Sequence, residues 1–352
     1  MNVKNKKIKN TGEKEDKKIF AGQNAIFEFL KPESLGFSPV IELPASLNPF
    51  LKDKVRIFIK MSELVPLGNI KSLPSYMMLQ NIPKNELKKI KNLVEYSSGN
   101  TVLSLAVLSR HFGIKNMHAI ITPDVPEPKR KLLNLVGANL LISHGPPSPD
   151  VHENIGGIFE AKTLARKKGW HNLNQYVNPG SILASQKYIG EEIWEQFGKD
   201  LSVFMASIGT AGTITGAGAY LRDQNKKIKI IGTAIKKGSS IPGPRGEVMI
   251  HKLGIPWEKV VHEVIAMNAE EAFKKSLELI RLGLFVGPST GMQLASLLLK
   301  LKEYKKKKLL NGLRNKKGEV VCCFLACDSM SPYIDEYFNV LPAKYFPKEK
   351  HI

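Results

Sequence analysis

The sequence lacks any apolar run long enough to cross a membrane. A transmembrane helix needs about 20 mostly apolar residues, and no stretch of this 352-residue chain comes near that length. The first twenty residues are rich in lysine and lack the apolar segment of a secretory signal. They also lack arginine and contain acids, which argues against a mitochondrial transit peptide. We therefore expect a cytoplasmic protein that makes no membrane contact and has a basic flexible tail at 1–18.

Cysteine is scarce. The three cysteines are Cys322, Cys323 and Cys327, and all lie in or beside one apolar segment. A structural zinc site needs four ligands, and no second Cys/His cluster supplies the rest. We expect reduced, buried thiols and no metal, which fits a cytosolic compartment.

Acidic residues are few relative to basic ones. The chain has 32 Asp and Glu and 52 Lys and Arg, which gives a formal net charge of +20. Such an excess suits a nucleic-acid partner. The lysines are scattered, however, and no aromatic-rich RNA-binding motif accompanies them. We expect a general lysine-rich surface and no nucleic-acid partner.

Short β-rich runs alternate with helical patterns along the chain, which predicts an α/β fold with mostly parallel sheets. Helical periodicity predicts a helix over 181–197. Asn268 with Glu271 resembles a capping box opening a helix over 269–282, which Gly283 ends. The predicted strands are 55–60, 93–96, 118–121, 139–142, 202–206, 228–234, 260–265 and 319–325.

A glycine-rich segment at 206–216 (ASIGTAGTITG) follows the apolar run 203–205 and precedes a helical pattern. Such a turn presents unpaired N–H groups and the positive end of a helix dipole, so it either binds a phosphate or serves only packing. No Gly-Lys-Ser/Thr ends it, which excludes the nucleotide P-loop. A nucleotide-dependent oxidoreductase would need an acid about 20 residues on, where the chain has Lys226, Lys227 and Lys229.

Three further segments carry reactive or polar side chains. Lys71 follows a Pro/Gly turn among apolar neighbours, where it is either a desolvated amine nucleophile or a surface lysine. The polar residues at 96–101 (YSSGNT) precede the helical pattern 102–110, so they either hold a carboxylate or only cap the helix. Ser329 lies in 326–330, after an apolar strand. Its hydroxyl either faces a ligand-binding cleft or belongs to an ordinary turn.

In this order the four segments resemble one family, the pyridoxal-phosphate enzymes of the cysteine synthase and cystathionine β-synthase group. The family's Asn-Pro-x-Gly-Ser-x-Lys, Ser-Gly-Asn-Thr and Gly-Thr-Gly-Gly-Thr motifs stand here as 65–71 (VPLGNIK), 98–101 (SGNT) and 209–213 (GTAGT). The similarity runs from about residue 38 to 333. It implies fold type II, the tryptophan synthase β-like architecture, with two three-layer αβα lobes.

The resemblance also implies roles for individual residues. Lys71 would bind pyridoxal 5′-phosphate through its amine and act as base and acid at the substrate Cα. Asn100 would hydrogen-bond the pyridine 3′-oxygen, and Ser329 would face the ring nitrogen. The residues implied to hold the cofactor phosphate are Gly209, Thr210, Ala211, Gly212 and Thr213. Those implied to contact the substrate are Ser97, Ser98, Thr101 and Gln175. Gly243 and Arg245, which lie where the chain departs from the family, are further candidate substrate contacts.

The implied reaction is β-replacement: an activated serine (O-acetylserine or O-phosphoserine) reacts with sulfide or a thiol, through an α-aminoacrylate, to give cysteine or a close analogue. Alternatives are a serine/threonine dehydratase, a cystathionine-forming enzyme and a non-catalytic paralogue that binds the cofactor. A homodimer is expected from the family. We expect a smaller, mobile substrate-loop domain at 61–175 and a larger cofactor domain at 19–60 plus 176–345.

The chain departs from the family pattern at several positions. Asn69 replaces a serine, and Ser72 with Leu73 replaces Asp-Arg. Ala211 replaces a glycine, which a backbone cradle tolerates if φ stays negative. The family's Gln-Gly-Ile-Gly stands here as 242–245 (PGPR), so Arg245 either pairs with an anionic leaving group such as phosphate or forms a surface ion pair.

Overall fold

The computed structural model describes residues 18–145 and 150–348. The tail predicted at 1–18 falls outside these ranges except for Lys18. Within them, no helix is both long and apolar enough to cross a membrane.

Ten strands alternate with helices along the described chain. The strands are β1 Val40–Glu42, β2 Val55–Lys60, β3 Asn92–Tyr96, β4 Asn116–Ile121, β5 Ala138–Ile142, β6 Trp170–His171, β7 Leu201–Ser207, β8 Lys229–Ile235, β9 Glu263–Met267 and β10 Val320–Leu325. The helices are α1 Ala25–Leu30, α2 Ser72–Gln80, α3 Lys84–Leu87, α4 Asn100–His111, α5 Glu127–Leu135, α6 Gly156–Leu164, α7 Pro179–Ser185, α8 Glu192–Phe197, α9 Gly212–Gln224, α10 Ala269–Arg281, α11 Pro288–Lys306 and α12 Ile334–Val340.

The strands form two sheets. The larger has the order β1-β2-β10-β7-β8-β9, and only β1 within it runs antiparallel to its neighbour. The smaller has the order β5-β4-β3-β6 and is parallel throughout. Parallel strands need crossover helices that cover both faces of the sheet, so the α/β fold class predicted from the sequence is confirmed. The boundaries of the two predicted domains remain a prediction.

All eight predicted strands are present, with ends shifted by up to three residues. The prediction missed β1 and β6, which have three and two residues and are too short to show a period. The helix predicted over 181–197 is a continuous helical segment made of α7, a π-helical stretch at Gln186–Glu191 and α8. The Asn268 side chain accepts the Glu271 N–H at 2.9 Å, which confirms that cap.

The buried core of the larger sheet is formed by β10 and β7, which lie at its centre. Every residue of β10 is buried, including Cys322 and Cys323. All three cysteines are free thiols, as predicted. Because these central strands are parallel, their carboxyl ends meet at one edge, where ligands of open α/β sheets bind.

Candidate active site

Lys71 is fixed by the turn that precedes α2. The Asn69 Oδ1 accepts the Lys71 N–H at 3.0 Å and the Ser104 hydroxyl at 3.2 Å, while the Asn69 Nδ2 donates to the Leu67 carbonyl at 2.9 Å. Asn69 is buried. The asparagine that departs from the family pattern therefore braces the Lys71 turn against α4.

The turn is also attached to the end of β10, since the Ile70 N–H donates to the Cys327 carbonyl at 2.8 Å. Burial lowers the pKa of the Lys71 amine from its usual 10.5, because desolvation disfavours the ammonium form. This removes the surface-lysine alternative, and a neutral amine becomes accessible at lower pH than in a solvated lysine.

The glycine-rich loop turns from β7 into α9, as predicted. The N-terminus of α9 has no side-chain cap, so its first N–H groups remain available to an anion. Gly209 approaches the Gly243 carbonyl so closely that a Cβ would lie 3.0 Å from that oxygen. The geometry fits an anion cradle of backbone groups.

The condition placed on Ala211 is not met. Its φ is +69° and its ψ −7°, in the left-handed region where a Cβ costs about 1–2 kcal/mol. The condition fails because the strand-to-helix turn needs one residue in this region. The loop thus keeps its shape at the expense of backbone strain.

The polar loop before α4 contacts the segment around Gln175. Thr101 Oγ1 donates to Gln175 Oε1 at 2.7 Å, and Gln175 Nε2 donates to the Tyr96 carbonyl at 3.3 Å. No side chain caps α4, whose N-cap is Gly99. The capping alternative is therefore wrong, and the first N–H groups of this helix are open to a carboxylate.

Arg245 lies in the cleft. The backbone N–H of Arg245 donates to the Ile208 carbonyl at 2.8 Å, which attaches Arg245 to the glycine-rich loop. Its guanidinium donates to Tyr176 Oη at 2.5 Å and forms no salt bridge among the described residues. The alternative of a surface ion pair is therefore wrong.

Ser329 does not join these residues. Its hydroxyl lies 3.1 Å from the Ser331 hydroxyl, and it does not line either of the two spaces described below. Three other residues at this end of β10 do: Ser289, Cys327 and Asp328. Burial raises the pKa of the Cys327 thiol to about 11, so this thiol is protonated at neutral pH.

Two continuous spaces hold nearly all the predicted site residues. A cavity of about 60 Å³ is lined by Ile70, Lys71, Asn100, Ala206, Ser207, Gly209, Thr210, Ala211, Thr213, Gly243, Pro244, Ser289, Leu325, Cys327 and Asp328. A cleft of about 450 Å³ adjoins it, and its lining includes Ser97, Ser98, Thr101, Gln175, Gly243 and Arg245. Lys71 and Asn100 line both. Besides Ser329, only Gly212 among the predicted residues lines neither; it is buried as the first residue of α9.

Sequence reasoning missed Ser289 and Asp328 as wall residues. Ser289 lies in the first turn of α11, in a part of the chain to which the sequence analysis assigned no role. Asp328 adjoins Ser329, so the predicted segment does reach the cavity, but through the residue before the predicted one. The direction of β10 indicates which end of the strand faces the cleft. The conformation of the turn after β10 determines which residue points inward.

Comparisons with known proteins identify the family of the chain. The family model described as pyridoxal-phosphate dependent enzyme matches residues 33–311. Cysteine synthase B of Escherichia coli (strain K12) is 28% identical over 268 residues, covering 76% of this chain and 86% of that protein. Cysteine synthase B of Pseudomonas aeruginosa is 30% identical over 246 residues, covering 69% and 80%.

Solved structures share the fold. A crystal structure of cysteine synthase from Entamoeba histolytica has a TM-score of 0.72 at 21% identity and covers 92% of both chains. A crystal structure of O-ureido-L-serine synthase has a TM-score of 0.69 at 22% identity, covering 86% of this chain and 92% of that one. The chain belongs to the pyridoxal-phosphate-dependent enzymes, in the group of the cysteine synthases.

Proposed function

We propose that this enzyme catalyses β-replacement on an activated serine, with sulfide as the incoming group and cysteine as the product. The single observation that carries the proposal is the convergence of a desolvated lysine, a helix N-terminus without a side-chain cap and the polar loop before α4 on one cavity and its adjoining cleft. Its relatives are named cysteine synthases.

The residues present fit pyridoxal phosphate. The open N-terminus of α9 and the hydroxyls of Thr210 and Thr213 suit a phosphate, and a Cβ at Gly209 would press on the neighbouring backbone. Lys71 lies on the same cavity and offers the amine. When bound, the cofactor supplies an electron sink for the Cα of an amino acid; the protein supplies position and electrostatics.

Each step rests on this chain's own residues. Ser97, Ser98 and the open N-terminus of α4 bind the substrate α-carboxylate, and Thr101 orients Gln175 beside them. Lys71 Nζ takes the Cα proton. The Cβ–O bond then breaks, the leaving group departs with the electron pair, and sulfide forms the Cβ–S bond as a proton returns to Cα. We propose Ser289, instead of Ser329, as the hydroxyl that faces the ring nitrogen.

Arg245 selects an anionic leaving group. It is a cation in the cleft whose hydrogen-bond partner among the described residues is the phenol of Tyr176, so it remains free to pair with a phosphate or similar oxyanion. A guanidinium binds such groups through paired N–H donors. O-phosphoserine is therefore the preferred activated serine.

Product analysis tests the reaction. The enzyme is incubated with O-phosphoserine, O-acetylserine or serine, each with and without sulfide. We expect cysteine only when sulfide and an activated serine are both present. Keto-acid formation without sulfide would instead make the protein a dehydratase, and cystathionine formation with serine and homocysteine would make it a cystathionine-forming enzyme. No turnover with any pair would leave a non-catalytic binding protein.

Arg245→Ala tests the leaving group. We expect kcat/KM for O-phosphoserine to fall about a hundredfold, because a charge-assisted pair is lost, while O-acetylserine turnover changes little. Tyr176→Phe is the matched control, since it removes the phenol partner and keeps the cation. An equal loss for both substrates in Arg245→Ala would contradict a role in selecting the leaving group.

We further propose a cytoplasmic homodimer. Three free cysteines support a reducing compartment, and the family resemblance supports the dimer. Sedimentation of the purified protein would distinguish a dimer from a monomer.

A further inference from the structure

The carboxylate of Asp328 is almost completely withdrawn from solvent at the wall of the active-site cavity. Asp328 is 6% exposed. Its Oδ2 accepts a hydrogen bond from Asn100 Nδ2 at 2.7 Å and another from the Tyr333 hydroxyl at 2.5 Å. Its Oδ1 has no hydrogen-bond partner in the structure. Burying a carboxylate is costly unless it is well paired, so this arrangement needs a functional reason.

The position of the carboxylate is fixed by its neighbours. The Asp328 carbonyl accepts the Gly287 N–H at 2.8 Å. A Cβ at Gly287 would lie 2.4 Å from Asp328 Oδ1, although the backbone of Gly287 has an ordinary φ of −75°. Glycine at position 287 therefore leaves room for the Asp328 carboxylate.

The consequence falls on Asn100. An amide can be turned end for end, exchanging its NH2 group and its oxygen, and only its partners decide which end points where. An ionised carboxylate only accepts hydrogen bonds, so the Asn100 NH2 must face Asp328. The bond occupies one of two amide hydrogens, and Asn100 lines both the cavity and the cleft.

We propose that Asp328 is a positioning residue that fixes the orientation of the Asn100 amide and strengthens its remaining N–H as a donor to the bound cofactor. A donor bound to an anion is polarised, and chains of hydrogen bonds reinforce one another at low dielectric. The inference rests on the proposed function, because it takes Asn100 to contact pyridoxal phosphate.

Asp328 also interacts with other charged groups, whose effects the experiment must separate from the effect on Asn100. Lys71 and Lys129 lower its pKa, whereas burial, the largest effect, raises it. Its proximity contributes to the raised pKa of Glu63. A change at Asp328 can therefore act on Lys71 directly, and an experiment must separate that route from the one through Asn100.

A double-mutant cycle separates the two routes. The variants are Asp328→Asn, Asn100→Ala and the combination, with Ser329→Ala as the control, since Ser329 adjoins Asp328 but lines neither the cavity nor the cleft. Two quantities are measured on each: the dissociation constant of pyridoxal phosphate from the apo-protein, and the visible absorption of bound cofactor against pH. Free energies of unfolding of the apo-proteins verify that each variant folds.

We expect Asp328→Asn to weaken cofactor binding about tenfold and to shift the pH at which the absorption changes, because an amide partner permits both orientations of Asn100. The same substitution in the Asn100→Ala background should have little effect, and Ser329→Ala should leave the pH midpoint nearly unchanged. A full effect of Asp328→Asn without Asn100 would overturn the proposal. An Asp328→Asn protein with unchanged binding and spectrum would also overturn it.

If Asp328→Asn does not fold, Gly287→Ala replaces it, since the added methyl displaces the carboxylate without changing its chemistry. It should shift the absorption in the same direction. A normal spectrum in Gly287→Ala would count against the proposal. Failure of the proposed function is distinguishable, because it appears as absent or different turnover of the activated serines, whereas this test measures only cofactor binding and absorption.

Discussion

At the scale of single residues, the surroundings of Lys71 set the protonation of its amine. The turn at 65–71 is braced by Asn69 and attached to the end of β10, so the amine is held against the cavity instead of extending into solvent. Desolvation favours the neutral form of the amine. The environment therefore favours a neutral amine at the cavity before any ligand arrives.

This environment predicts how cofactor capture depends on pH. Only the neutral amine attacks an aldehyde, so the rate at which apo-protein captures pyridoxal phosphate should rise with pH to a plateau. The midpoint of this rise should lie below 10.5, the usual pKa of lysine. Stopped-flow absorbance measures the rate. A midpoint at or above 10.5 would mean that Lys71 is solvated in the apo-protein.

Ala211 predicts a stabilising substitution. Because its φ is +69°, Ala211→Gly should remove backbone strain and raise the free energy of unfolding by about 1 kcal/mol, as measured by urea denaturation.

The control is Ala219→Gly in the helical part of α9. There the same change should lower the free energy of unfolding by about 1 kcal/mol. Destabilisation by both substitutions would show that Ala211 is not strained.

At the scale of elements, close helix packing sets the position of the glycine-rich turn before α9. A Cβ at Gly216 in α9 would lie 2.2 Å from the Ile182 carbonyl in α7. The two helices therefore touch through their backbones, and α9 points its N-terminus at the cavity from a fixed place.

Gly216→Ala should push α9 away from α7. We expect unfolding to become easier by about 1–3 kcal/mol, the usual effect of overpacking, together with weaker cofactor binding. Gly312→Ala is the control, since nothing lies within 4 Å of a Cβ there. Equal stability of the two variants in a urea titration would rule out the backbone contact as the cause.

Elements also show where sequence reasoning succeeds. Periodic apolar runs identified the strands from β2 to β10, apart from β6, because burial on both faces enforces such runs. The order of four polar segments identified the cavity residues. Short range patterns did not show that Ser289 and Asp328, instead of Ser329, face the cavity, because chain direction after β10 depends on the contacts of Gly287 and Tyr333.

At the scale of the whole molecule, the active site lies between the two sheets. Lys71 and the glycine-rich loop belong to segments attached to the larger sheet, whereas Asn100 follows β3 of the smaller one. A ligand that contacts both groups bridges the sheets. It also binds only the folded chain.

Removal of the cofactor should therefore destabilise the whole protein. A ligand at a thousand times its dissociation constant stabilises the native state by about 4 kcal/mol. Calorimetry of apo-protein with and without added pyridoxal phosphate should show a higher Tm with the cofactor. A Tm that does not respond would contradict binding between the two sheets.

The most direct test of the central claim is to locate the cofactor on the chain. The purified protein is mixed with pyridoxal phosphate, treated with borohydride to make the bond to a lysine amine permanent, digested and analysed by mass spectrometry. We predict one modified peptide, carrying the cofactor on Lys71, and no modification in Lys71→Ala. Modification of a different lysine, or an unchanged pattern in Lys71→Ala, would contradict the account.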